Sequence, residues 1–256
     1  MARRLALLAV CAFVLVGLVP APASAWPPDV AAAKAYVATR KGDVSFTVIG
    51  PKGVAYGYRG ERAAHLASVF KVMLLAAYLE RPSVRDRDLR DSDRALLGPM
   101  IRRSDNLAAT RVVDLLGRGP LEQLARYAGM THFHYVAHPW GASTDTSREL
   151  ARFMFNLDRY IPDRHEAYAR FLLSHIVASQ RWGIAKLRFD GWTLYFKSGW
   201  GSGTGFVSNQ VAFLEKDGMR VAAAVLIMHS PSEAYAEQTL QGVFHRLLQP
   251  MPKPSS

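Results

Sequence analysis

The segment Ser68-Val69-Phe70-Lys71, continued by Val72-Met73-Leu74-Leu75-Ala76-Ala77-Tyr78-Leu79, organises the reading of this chain. Ser68 and Lys71 stand three positions apart and share one helix face. The run behind them is apolar on nearly every side, which marks a buried helix. An ammonium in such a helix is costly unless it is paired or neutral. A hydroxyl on the first turn, with an amine one turn further in, therefore needs a chemical reason.

Outward from this helix, the N-terminal side reads as an Ala-rich helical segment over 26–39, then two short β-rich runs at 44–49 and 54–58. Gly50-Pro51-Lys52-Gly53 joins the two runs in a hairpin pattern. Residues 61–67 lead into the Ser68 helix. On the C-terminal side, 81–93 is crowded with charge and reads as a surface connection. Helices are expected over 95–103, 107–116 (stopped by Gly117), 121–127 and 163–179, and from Arg148 to about Leu157 behind a Thr146-Ser147 cap. Residues 131–145 show no period and read as a loop. Strands are expected at 193–197, 205–215 and 219–228, with Lys216-Asp217-Gly218 as the tight turn between the last two, and a closing helix at 233–248.

Strands, a helical middle, then strands and a helix give an α+β fold. The expectation is one antiparallel sheet, built from about 26–60 and 190–248 and flanked by the terminal helices, plus a helical lobe over 61–189. A cleft is expected where the lobes meet.

Composition narrows the setting. Residues 1–25 read as a secretory signal: Arg3 and Arg4, an apolar run over 5–19, and Ala23-Ser24-Ala25 as the cleavage site. Residues 26–256 would then form one large extracytoplasmic domain with no membrane span. The single cysteine, Cys11, sits in mid-signal, so the mature chain has no disulfide and no cysteine nucleophile. A net charge of +11 reads as a solvated basic surface or an attraction to anionic wall polymers. Nucleic acid is not expected, for no Lys/Arg block or reading motif is present. His165-Glu166 is followed by Ala169 where a helical zinc motif needs a second histidine, so neither a metal nor an organic cofactor is implied.

Three motifs follow in order: Ser68-x-x-Lys71 opening a buried helix, Ser104-Asp105-Asn106 between two helices, and Lys197-Ser198-Gly199 ending a strand. Alone, each has a bland reading. Ser68 could be a helix cap and Lys71 could snorkel to the surface; Ser104-Asp105-Asn106 could be a capped turn, and Lys197-Ser198-Gly199 a loose strand end. Chance gives S-x-x-K about once in such a length, and each triplet on the order of one time in ten or less. All three in order, on suitable elements, carry more weight.

With these residues on the page, the sequence resembles the penicillin-recognising serine hydrolases, in particular the class A β-lactamases. The resemblance spans 43–248 and implies a monomeric enzyme acting on β-lactams or wall peptides. It implies Ser68 as nucleophile, Lys71 as its base, Ser104 as proton relay, Lys197 and Ser198 facing a substrate carboxylate, and Asn106 holding a substrate amide. The backbone N–H groups of Ser68 and Trp200 would form an oxyanion hole, with Gly199 beside Trp200 among the substrate-binding residues. To serve as a base Lys71 must lose its proton near neutrality, a cost of about 4 kcal/mol.

One departure matters. Class A enzymes carry a Glu-x-x-Leu-Asn loop whose glutamate activates water against the acyl-enzyme. Here no glutamate lies between Glu122 and Glu149, and the connection holds His132, His134, His138 and one carboxylate, Asp145, at its end. The histidines read as packed or surface residues. Slow deacylation is the expectation. No arginine lies on the strand near Gly205, where many family members place a carboxylate partner; Ser208 and Asn209 lie there. The alternatives are a D-alanyl-D-alanine carboxypeptidase or other wall peptidase, and a non-hydrolytic module binding penicillin or wall fragments.

Overall fold

The computed structural model describes residues 26–202 and 206–253. The expected signal, the start of the strand at Gly205 and the last three residues lie outside them. In chain order the elements are α1 (Val30–Ala38), β1 (Asp43–Ile49), β2 (Ala55–Tyr58), β3 (Ala63–His65) and a 3₁₀ turn Ala67–Phe70 running into α2 (Lys71–Leu79). Then come α3 (Asp91–Arg102), α4 (Asn106–Leu116), α5 (Arg118–Tyr127), β4 (Thr144–Thr146), α6 (Ser147–Phe155) and α7 (Asp163–Ser174). The chain closes with β5 (Thr193–Gly201), β6 (Val207–Lys216), β7 (Met219–Met228) and α8 (Glu233–Leu248).

The five long strands form one antiparallel sheet in the order β2-β1-β7-β6-β5, with a separate β3–β4 pair. Successive strand residues point to opposite faces, and Val221 to Ile227 are all fully buried, so both faces of the sheet are covered. α6 packs on β1, β6 and β7, and α8, backed by α1, packs on β6 and β7. This is the expected α+β fold, with the terminal helices on the sheet.

In the other lobe α2 is the axis. All nine of its residues are buried, against α3, α4 and α5. The apolar run after Lys71 has that surrounding because no side of it reaches solvent.

Of the boundaries that differ from the expectation, among them α1 starting at Val30 and α5 at Arg118, three have a visible cause. α3 starts at Asp91 because the charge-rich connection ends in a cap: Asp93, buried, accepts from Arg90 N (2.7 Å), Tyr78 Oη (2.8 Å) and Arg87 Nη1 (2.7 Å). α7 stops at Ser174, whose hydroxyl turns back onto the Arg170 carbonyl (2.9 Å). β5 runs on to Gly201, because its register with β6 continues through Gly199↔Asn209 to Gly201↔Val207. The β3–β4 pair, three residues a side, is too short to leave a period in the sequence.

Candidate active site

Edge strand β5 lies against the 3₁₀ turn that carries Ser68. First-turn N–H groups of a helix have no intrahelical acceptor, and Ser68 N is one of these. A Cβ at Gly199 would stand 2.6 Å from Ser68 N and 2.7 Å from Val69 N, so only glycine lets the strand approach this closely.

The approach to Ser68 is pinned from below. Leu66 N donates to Ser143 O (2.8 Å). The fully buried Asn209 donates to the carbonyls of His65 (2.6 Å) and Leu66 (3.3 Å) and accepts from Ile227 N (3.0 Å). Ala67 is thereby held at φ +47°, a conformation a non-glycine residue adopts at a cost of about 1–2 kcal/mol. Asn209, unassigned in the sequence, joins the last two strands to the serine turn.

Ser104 ends the α3–α4 turn at φ +58°. Pro99 O accepts from both Arg103 N and Asp105 N (3.1 Å each), and Asp105 caps α4 through Ala108 N (2.8 Å). This presents both oxygens of Ser104 to Lys71, whose Nζ donates to Ser104 O (2.6 Å), Ser104 Oγ (3.1 Å) and Asn106 Oδ1 (2.8 Å). From the other side Lys197 Nζ donates to the same Ser104 Oγ (3.0 Å) and to Ser198 O (2.7 Å). One hydroxyl thus bridges two fully buried lysines.

Burial lowers Lys71 to about 7, the Asp105 carboxylate acting weakly the other way. Burial also takes Lys197 well below the ordinary lysine range, and the charge of Lys71 adds to that. At neutral pH Lys71 can hold or release a proton with little cost, which suits a group that moves protons.

Ser68, Lys71, Ser104, Asn106, Lys197 and Gly199 therefore come together. No hydrogen bond joins Lys71 to Ser68 among the described residues; the amine is engaged by the Ser104 turn. Ser198 is buried, and its Oγ accepts from Gln210 Nε2 (2.8 Å), leaving its own proton to donate. Gln210 also bonds Trp182 O (2.8 Å) and Ile184 N (2.9 Å), fixing the segment beside β5. Trp200, next along β5, is half-exposed. Asn209 and Gln210 had a signal in the sequence, as two amides inside an otherwise apolar strand.

The 131–146 loop folds onto this turn. His134 pairs with Thr144 through both backbone bonds, and Ala142 O meets His65 Nδ1 (3.0 Å). At its tip the Lys71 Nζ lies over the Trp140 ring, 5.0 Å from the centroid, and Trp140 Nε1 donates to Thr110 Oγ1 (3.1 Å). Nothing in the sequence pattern indicated either residue.

Asp145 makes no hydrogen bond to any of these groups. It pairs with Ala64 across β3–β4, fully buried, and its Oδ1 accepts from Thr146 N (2.6 Å). Its Oδ2 meets no N–H or O–H donor. Burial and then the neighbouring Glu149 side chain push Asp145 up to about 9, which favours its protonated form beside Glu149. Glu149 is buried too, which would raise it. Its bonds from Asp145, His132 and Thr131 outweigh that and hold it ionised. His132 is spent on Glu149, and His138 faces Asp114 (3.3 Å) at the surface. No described helix is long and apolar enough to cross a membrane.

The model of the "Beta-lactamase enzyme family" matches residues 89–249, which include Ser104, Asn106, Lys197 and Ser198 and begin after Lys71. A β-lactamase from Sphaerobacter thermophilus superposes with a TM-score of 0.73 at 22% identity, over 86% of this chain and 96% of that one. One from Xanthomonas campestris pv. campestris gives 0.71 at 18%, over 85% and 96%. A third, from Desulfarculus baarsii, gives 0.68 at 22%, over 84% and 97%. At these identities the likeness is one of fold. No curated protein matches the sequence.

Proposed function

This chain belongs to the β-lactamase enzyme family, and we propose that within it the protein is an exported active-site-serine hydrolase. It forms an acyl-enzyme at Ser68 with β-lactams or related amides and clears it slowly. The observation that carries this reading is the Ser104 hydroxyl held between Lys71 Nζ and Lys197 Nζ at 3.1 and 3.0 Å, beside a serine backed by Gly199.

The chemistry follows from those positions. Ser68 Oγ attacks the carbonyl carbon and gives its proton to neutral Lys71, whose bond to the Ser104 turn loosens as substrate tightens the contact, as apo geometries commonly do. The carbonyl oxygen takes up negative charge toward Ser68 N–H and the adjoining strand; such a donor is worth about 3 kcal/mol in the transition state. The C–N bond breaks, and the proton passes from Lys71 through Ser104 Oγ to the leaving nitrogen. Lys197 stabilises the charge on that relay and attracts a substrate carboxylate, Ser198 donating beside it. Asn106 keeps its Nδ2 for a substrate amide while Oδ1 orients Lys71.

Slow clearance is supported by the carboxylates near the site. Asp105 caps α4, Asp145 and Glu149 hold each other, and Asp114 faces His138. None makes a hydrogen bond to Ser68 or Lys71 among the described residues. The same absence favours a wall carboxypeptidase as the second reading, since Lys71 as sole base suits it.

Intact-mass spectrometry of the mature protein with benzylpenicillin, followed over time, tests the proposal. A persistent adduct on Ser68 is expected, with release of D-alanine from a wall peptide marking the peptidase. Rapid turnover of several β-lactams would end the slow-clearance reading. Equal binding of wall fragments by Ser68→Ala would favour a non-hydrolytic module. Secreted protein beginning at Trp26 would support export.

A further inference from the structure

We propose that Trp140, anchored by Thr110, is the residue that makes the Ser68 acyl-enzyme long-lived, by closing the face of Lys71 through which water would reach the ester. The inference rests on the acyl-enzyme reading and adds a positioning residue to it.

Hydrolysis of the ester adds water across the acyl C–Oγ bond. The water oxygen bonds the carbonyl carbon and one of its protons goes to a base. The bond to Oγ breaks, a proton returns to Ser68 Oγ, and the free acid leaves. The water must therefore sit against both a base and the ester. Lys71 is the one amine beside Ser68 on its helix, and its surroundings are filled. Three of its directions go to Ser104 O, Ser104 Oγ and Asn106 Oδ1. The next is covered by the indole of Trp140, 5.0 Å from Nζ.

The indole is not a loose flap. Its Nε1–H is fixed to Thr110 Oγ1 on α4 at 3.1 Å. Gly141, the next residue, packs on Ala67, where even a Cβ would stand 3.4 Å from the Ala67 Cα. The loop is stapled by Ser143, whose Oγ bonds both the N–H (3.0 Å) and the carbonyl (3.2 Å) of Val136 and whose own carbonyl takes Leu66 N. The loop that carries the cover is thus fastened to the turn that carries the nucleophile, and a ring held there excludes water without needing to move. Acylation is spared, because that step consumes no water.

The test is the decay of the benzylpenicillin adduct, measured by intact mass after removal of free drug, in Trp140→Ala, Trp140→Phe and Thr110→Val. Trp140→Ala should shorten the adduct's life by about tenfold, for water gains access but no new base. Trp140→Phe keeps a ring over Lys71 and should stay near the parent. Thr110→Val, nearly isosteric, should lengthen nothing and speed decay several-fold. The pH at which labelling is half-maximal should also rise in Trp140→Ala, since water solvates the Lys71 ammonium better than indole does; loss of packing alone would not move it.

Decay within about twofold of the parent in both Trp140→Ala and Thr110→Val would overturn the proposal. So would a folded Trp140→Ala that no longer labels. If Trp140→Ala does not fold, Thr110→Val decides. A parent protein that labels at Ser68 but decays fast refutes the cover and leaves the nucleophile standing; a parent that never labels refutes the acyl-enzyme reading instead.

Discussion

Replacing Gly199 by alanine tests the site's tightest contact. Its φ lies outside the left-handed region, so the backbone accepts alanine and the effect is steric. The added Cβ meets Ser68 N at 2.6 Å and Val69 N at 2.7 Å, with Leu66 O at 3.1 Å. Ordinary contact begins near 3.4 Å, so β5 and the serine turn must part by about 0.8 Å. All three neighbours are backbone, and Asn209 and Ser143 hold that backbone in place, so no flexible side chain can yield. Overpacking of this kind costs about 1–3 kcal/mol of stability. Displacement of a reacting group by about 1 Å costs on the order of 10²-fold in rate. The second-order rate of Ser68 labelling by benzylpenicillin should therefore fall about 100-fold, and the urea midpoint should drop. Gly201→Ala, two residues on, meets nothing within 4 Å among the described residues and should be near neutral in stability. Labelling and stability of Gly199→Ala equal to the parent would refute the argument that this approach sets the geometry.

Three further outcomes are expected. Lys71 is neutral above about pH 7 and protonated below it, so labelling should rise about tenfold per pH unit up to that point and level off above it; a flat stopped-flow profile across that range would remove Lys71 as base. Ser104→Ala breaks the bridge between the two lysines and should slow labelling by about 10²-fold or more while far-ultraviolet circular dichroism stays unchanged. Asp145→Asn keeps a donor toward Glu149 and should cost under about 1 kcal/mol in urea unfolding at pH 7, whereas Asp145→Ala should cost about 1–3 kcal/mol; equal losses would mean that Asp145 is not protonated in the folded protein.

The sequence was most readable where one physical pattern dominated. An apolar run on every side of Lys71 could only be a buried axis, and α2 is one. The tight turn Lys216-Asp217-Gly218 between two strand-like runs marked β6 and β7, and Gly117 ended α4 where expected. It was least readable where a side chain works through a distant partner. Asp93 looked like one more charge in a charged connection, but it is buried because Tyr78, Arg87 and Arg90 converge on it. Asp145 showed only as the one carboxylate of its loop, but the β3–β4 pair, three residues a side, carries it to Glu149. Trp140 and Thr110 stand 30 positions apart, and no local period records their bond. The site residues came from short motifs; the groups that hold them, Asn209 and Gln210, showed only as amides where the strand pattern called for apolar residues.

The strand order has a consequence for how the chain must assemble. β1 lies beside β7, with Phe46 opposite Val225, although their neighbours in sequence are β2 and β6. The hairpins β1–β2 and β6–β7 close locally, but the seam between them joins strands far apart in sequence, Ile49 to Ala222 and Asp43 to Met228, and must bear the entropy of closing that long loop. Topologies of this kind fold slowly. A nascent chain that ends before Met219 has β1 with one edge unpaired, and Asn209, which pins the Ser68 turn, without its Ile227 N–H partner. Synthesis of the last strand and helix is then the step that creates the nucleophile's environment, and a truncated chain carries the serine and both of its lysines without a site.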